Sequence, residues 1–105
     1  MAIRVPTPNV SAVDLTFEAG RHTNIAEITD MMQAAAAGPL KGILAVTDEP
    51  LVSSDFNHDP HSSIFHPDQT LVMDGDMIRI LAWYDNEWAF SNRMADTAVE
   101  MGKFI

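Results

Sequence analysis

The chain has 105 residues, with 15 acidic against 6 basic side chains and a net charge of −9. That length allows one domain, and an apolar share of 47% places it with globular rather than disordered chains. The negative balance excludes a general nucleic-acid binder, which relies on neutralising phosphates, and docking on an anionic membrane; the absence of cysteine excludes disulfides, thiolate metal sites and a thiol nucleophile from this chain.

Asn9 to Phe17 alternates, with Val13, Leu15 and Phe17 on one face, and predicts a strand. Pro6 and Pro8 lack donors, so pairing before Asn9 is irregular. Asn24 to Ala37 predicts a helix. Asn24 is its N-cap, Glu27 completes a capping-box pattern, and Gly38-Pro39 ends it. Ile25, Ile28, Met32 and Ala35 form its apolar stripe. Lys41–Val46 and Leu51–Phe56 predict two short strands around a turn at Asp48-Glu49-Pro50. Asn57–Asp68 reads as loop, broken by a short strand at Ser63–Phe65.

Thr70–Met73 and Met77–Tyr84 predict paired strands joined at Asp74-Gly75, a strong hairpin signal. The second is apolar on both faces, which calls for cover on both sides, the second side from another subunit or domain. The last helix runs from Glu87 to about Phe104, within a terminal unit of residues 87–105. Asp85 or Asn86 caps it, and Phe90, Met94, Ala98, Met101 and Ile105 form its stripe. The order of elements is an α+β pattern, not a doubly wound parallel sheet.

No apolar run approaches a membrane span, and the start lacks the apolar stretch of a signal peptide. The expected compartment is the cytoplasm. His58, His61 and His66 stand among Asp55, Asp59 and Asp68, but His58-Asp-Pro-His61 fits no strong zinc pattern, so no metal is expected. Ser53, Ser54, Ser62 and Ser63 lack a nucleophile elbow. No Walker loop or Gly-x-Gly-x-x-Gly occurs, so the chain has no nucleotide-binding fold of its own. Arg79 and Arg93 lie on a strand and a helix, where ion pairing is the ordinary role. Arg4 precedes a strand with few partners nearby. It is either a frayed terminus, which spacing alone favours, or a guanidinium free to bind phosphate bidentately.

Two stretches carry more than composition: Arg4-Val-Pro-Thr-Pro-Asn-Val-Ser-Ala-Val-Asp-Leu-Thr16, and Met73-Asp-Gly followed by Trp83-Tyr-Asp-Asn-Glu-Trp-Ala-Phe-Ser-Asn-Arg93. With Gly38-Pro-Leu-Lys-Gly-Ile43 and Leu51-Val-Ser-Ser-Asp-Phe56, they closely resemble phosphorylating glyceraldehyde-3-phosphate dehydrogenase. The resemblance runs from about Ile3 to the end of the chain and covers the last third of that enzyme. It implies that residues 1–105 are part of the C-terminal catalytic domain and that the NAD-binding domain is absent. It also implies that Arg4 binds the substrate phosphate and that Asn86 contacts the nicotinamide carboxamide of NAD. The family has Gly-Tyr where Ala89-Phe90 stands here, so a hydroxyl is lost and a ring kept.

In the family a cysteine attacks the aldehyde to form a thiohemiacetal and a histidine acts as its base. Neither lies within the matched region, and none of His22, His58, His61 or His66 matches that histidine. The chain alone is therefore expected to be inactive and not to bind NAD tightly. The resemblance further implies a mixed, largely antiparallel sheet with helices on one side, subunit contacts through the other sheet face, and a last helix that packs on the NAD-binding domain. The expected partner is a second copy or a full-length homologue. A non-catalytic assembly module is the alternative reading. Asn57-His-Asp-Pro-His61-Ser also resembles the erythrose-4-phosphate dehydrogenase branch, a lesser alternative.

Overall fold

The computed structural model describes all 105 residues. Strand β1 (Ser11–Glu18) leads to helix α1 (Ile25–Ala37), then β2 (Leu44–Val46), β3 (Ser63–Phe65), β4 (Leu71–Met73), β5 (Met77–Tyr84) and helix α2 (Trp88–Gly102). The five strands form one mixed sheet in the order β1-β5-β3-β2, with β4 also on β5. Only β2 and β3 run parallel. The α+β architecture read from the sequence is the one observed.

β5 organises the sheet. Along its whole length it pairs antiparallel with β1, from Ser11 opposite Tyr84 to Glu18 opposite Met77. Its other edge is shared, with β4 along the first half and β3 along the second. Asp74 and Gly75 both have positive φ, at 52° and 86°, as a tight hairpin turn requires. Gly75 also leaves room for a neighbour: a Cβ there would lie 2.4 Å from the His22 ring, and the approach is kept close by Thr23 N–H, which donates to the Gly75 carbonyl at 2.7 Å.

A small core lies on each face of the sheet. On one side Ile28 of α1 meets Phe65 and Ile78. On the other, Val10, Phe56 and Ile64 pack together beside Trp83, with the Phe56 and Trp83 rings stacked at 5.5 Å. The chain itself thus contributes cover to both faces of β5, where the sequence called for another subunit or domain on the second. The strand short of cover is β1, whose Val13, Leu15 and Phe17 are exposed. Only 10 residues are buried, and the radius of gyration is 15.4 Å, against about 13 Å for a compact chain of this size. Parts of the chain therefore project from the body, α2 foremost.

Three local expectations change. Leu51–Phe56 is not a strand. Ser53–Phe56 is a 3-10 turn, because the Asp55 carboxylate takes the Val52 N–H at 2.8 Å and Asp55 N–H reaches Val52 C=O, a local alternative to a ladder. Lys41–Ile43 is a turn around Gly42 (φ 79°), so the strand begins at Leu44. Asn24 does cap α1 through Glu27 N–H at 2.9 Å, but Glu27 does not reciprocate. Its carboxylate binds Arg21 and Thr23 instead.

Candidate functional site at the junction of β1, β5 and α2

Of the two residues singled out by the sequence, Asn86 sits directly beside a tightly bonded junction, and Arg4 lies five residues before its Asn9. Arg4 is exposed and has no hydrogen-bond or ion-pair partner. The other three arginines are paired: Arg21 with Glu27, Arg79 with Asp14 and Arg93 with Asp96. In a chain with excess carboxylates, the one unpaired guanidinium is the one able to meet an outside anion. Asn86 lies in the turn between β5 and α2. It too is exposed, and its amide bonds to nothing in the chain.

Asp85 caps α2, not Asn86. Its Oδ1 accepts from the backbone N–H of Glu87 at 3.2 Å and of Trp88 at 3.0 Å. Its Oδ2 accepts from His58 N–H at 2.8 Å and from the Asn9 amide at 3.0 Å. Asp85 is 1% exposed. Desolvation, the largest single influence, pushes its carboxyl upward, but the bonds from Trp88, His58, Glu87 and Asn9 together hold it below its ordinary value. Asn9 also donates to Asn57 Oδ1 at 2.8 Å. The loop that follows Phe56 is thereby drawn to the same point.

Backbone strain collects here. Val10 has φ 72° and His58 φ 63°, a left-handed conformation that costs a non-glycine residue on the order of 1–3 kcal/mol. Val10 is β-branched, for which this is a clear outlier. Burial of Val10 against Phe56 and Ile64 and contact of the His58 ring with Trp88, at 4.7 Å between centroids, help hold both in place.

The histidines have separate local contacts. His61 Nδ1 lies 2.7 Å from Asp59. Buried His66 accepts at Nδ1 from the Trp83 indole at 3.1 Å, which leaves the proton on Nε2. That atom lies 2.9 Å from Asp68 Oδ1, outside hydrogen-bond alignment. No three His, Asp or Glu side chains converge as metal ligands. Ala89 is buried, whereas Phe90 is 63% exposed.

Sequence reasoning treated Asp85 only as one of two candidate helix caps and gave Asn9 no role. The cap has a local signal, an Asp before the first helical turn. The convergence of Asn9 and His58, 76 and 27 residues away, has none.

Residues 1–86 match the family model of the glyceraldehyde 3-phosphate dehydrogenase C-terminal domain. The chain belongs to the glyceraldehyde-3-phosphate dehydrogenase family. Among its curated relatives, the glyceraldehyde-3-phosphate dehydrogenase of Cereibacter sphaeroides is 69% identical over 105 residues, covering 100% of this chain and 32% of the relative. That of Xanthobacter flavus is 64% identical, covering 97% of this chain and 30% of the relative. That of Zymomonas mobilis is 55% identical, covering 100% and 32%. The chain thus spans about a third of the length of these dehydrogenases, and the junction of Asn9, Asp85 and Asn86 falls inside the part matched to the C-terminal domain.

Proposed function

We propose that this chain forms part of the catalytic domain of an NAD-dependent, phosphorylating glyceraldehyde-3-phosphate dehydrogenase of the cytoplasm, and supplies binding groups to its active site. Arg4 binds the phosphate of the aldehyde substrate. Asn86 holds the carboxamide of the nicotinamide ring. The observation that carries this reading is that the Arg4 guanidinium and the Asn86 amide are both exposed and have no partner within the chain, while Asn9 and Asp85, the bonded pair next to them in sequence, are satisfied by each other. A free guanidinium presents paired N–H donors to phosphate. A free side-chain amide offers both donor and acceptor, the complement of another amide.

Bound NAD would accept the hydride from the aldehyde carbon. The contribution of these residues is orientation, which counts because a fixed geometry removes much of the entropic part of the barrier. No cysteine occurs in the chain, so a thiol nucleophile belongs to residues outside these 105. The chain alone makes no acyl intermediate.

The test is Arg4→Ala in the full-length enzyme. Loss of a charge-assisted pair costs about 1.5–3 kcal/mol, so KM for the phosphorylated aldehyde rises roughly 10- to 100-fold. An unchanged KM overturns the assignment. Erythrose 4-phosphate as the preferred substrate would move the protein to that branch. The isolated chain produces no NADH.

A second reading, a non-catalytic assembly module, rests on the apolar residues of α2. Phe90, Met94 and Met101, on one face of the helix, are all exposed, and such a patch marks a surface that is covered in use. That cover comes from a second copy or from the full-length homologue. Sedimentation of the purified chain together with the active enzyme distinguishes the readings, because a module forms mixed oligomers.

A further inference from the structure

Three non-glycine residues of the chain have positive φ: Val10, His58 and Asp74. Asp74 is explained by its hairpin turn. The other two flank a single carboxylate. Asn9, whose amide reaches Asp85, immediately precedes Val10, and His58 gives Asp85 its backbone N–H. Cap formation on α2 needs neither of them, because Glu87 and Trp88 already satisfy Oδ1. Strain maintained at a place where helix capping does not require it points to a further role.

The geometry supplies one. Each oxygen of Asp85 accepts two donors, so the carboxylate is fixed in position and direction. The backbone N–H groups of Glu87 and Trp88 are bonded back to it, and Asn86 lies inside the loop those bonds close. On the other side it binds Asn9, joined to Arg4 by a short span stiffened by Pro6 and Pro8. Ser11 opposite Tyr84 locks the next step of both strands. We propose that Asp85 is a positioning residue that fixes the Asn86 amide relative to the Arg4 segment, through Asn9 on one oxygen and the first turn of α2 on the other. The proposal rests on the reading of Arg4 and Asn86 given above. The lowered Asp85 carboxyl agrees with a permanently charged acceptor.

The test uses the full-length enzyme. NAD dissociation constants come from tryptophan fluorescence quenching, and thermal unfolding is followed alongside. Asp85→Asn keeps the shape but turns one acceptor oxygen into an NH2 group. Backbone donors cannot rotate away from it, so a donor faces a donor. Asn86→Ala weakens NAD by about tenfold, as loss of a side-chain hydrogen bond implies. Asp85→Asn weakens it by a similar factor, and the double variant is no weaker than either single one, the non-additivity of residues acting as a unit. Asn9→Ala leaves Asp85 charged with three donors, so it retains the fold and covers the case in which Asp85→Asn does not. It weakens NAD by about threefold, and that effect too vanishes in the Asn86→Ala background.

Three results overturn the proposal. Variants that melt earlier but keep the NAD constant would make Asp85 a helix cap only. Fully additive losses in the cycle would show that Asp85 does not act through Asn86. An Asn86→Ala enzyme with unchanged NAD affinity removes the cofactor assignment itself, and the positioning role with it.

Discussion

The two helices began as similar sequence patterns and have opposite surroundings. α1 buries Ile28 between Phe65 and Ile78 and half-buries Met32, Ala35 and Ala36. α2 is longer and also buries one residue, Ala89, yet its half-buried residues are Asn92 and Arg93, and every other apolar side chain on it is exposed. Beyond its Asp85 cap, α2 is tied to the body by Arg93, which donates to Gly42 C=O at 3.1 Å. Its polar side chains turn inward on the helix: Ser91, Asn92 and Thr97 each bond the carbonyl four residues back. The contrast teaches that an apolar stripe shows that a helix has a cover without showing where. Capping starts a helix, whereas packing maintains it.

The largest test of this contrast is a pair of truncations. Ile28→Ala in α1 should cost about 2–4 kcal/mol, read from the urea midpoint of the chain. Met94→Ala in α2 should stay within about 0.5 kcal/mol. If both cost the same in a dilute, monomeric sample, α2 is packed and the contrast fails. In the full-length enzyme the Met94 variant should become costly, because its cover is then present.

A smaller effect separates capping from packing. Asn24→Ala removes the bond to Glu27 N–H and should cost about 1 kcal/mol. Hydrogen exchange should show the loss in the first turn of α1, while Met32 and the residues packed on β2 stay protected. Fraying of the whole helix would mean that the cap, not the core, sustains it.

The smallest is a pH effect confined to α1. The Glu27 carboxyl is lowered to about 2 from 4.5, chiefly by its hydrogen bond from Arg21, with Thr23 adding to it. A lowered carboxylate contributes stability that is complete above its unfolded value and lost as the pH falls through the folded one. The difference between the native chain and Glu27→Gln should therefore be present at pH 6 and disappear between about 4.5 and 2. It should also shrink in salt, since the pair is exposed. The same change in α2 amides would contradict a local origin.

What the sequence disclosed follows the range of each interaction. The faces of β1, the hairpin at Asp74-Gly75, the start of α1 at Asn24 and both helices were legible because their causes lie within a few residues. Leu51–Phe56 misled because a short segment with apolar ends after a turn suggests a strand, while the Asp55 side chain provides a local bond that such a pattern does not register. Arg4 and Asn86 were found through motif likeness rather than physical pattern. Spacing alone favoured a frayed terminus for Arg4, and only the pairing of the other three arginines sets it apart. The Asp85 junction was invisible because its donors arrive from Asn9 and His58, far along the chain.

The pairing of β1 with β5 also sets a timetable. Every bond of β1 goes to a strand near the other end of the sequence, so Ser11 waits for Tyr84 and Glu18 for Met77. On a ribosome adding about 5–20 residues per second, that wait is roughly 3–15 s. Throughout it, Val13, Leu15 and Phe17 are exposed on an unpaired strand. Helix α1, with its own cap, can form meanwhile, but the sheet cannot close until the hairpin before Tyr84 has been made. A nascent chain of this design therefore passes through a vulnerable interval in which chaperones, rather than its own contacts, must keep its first strand from pairing with a neighbour.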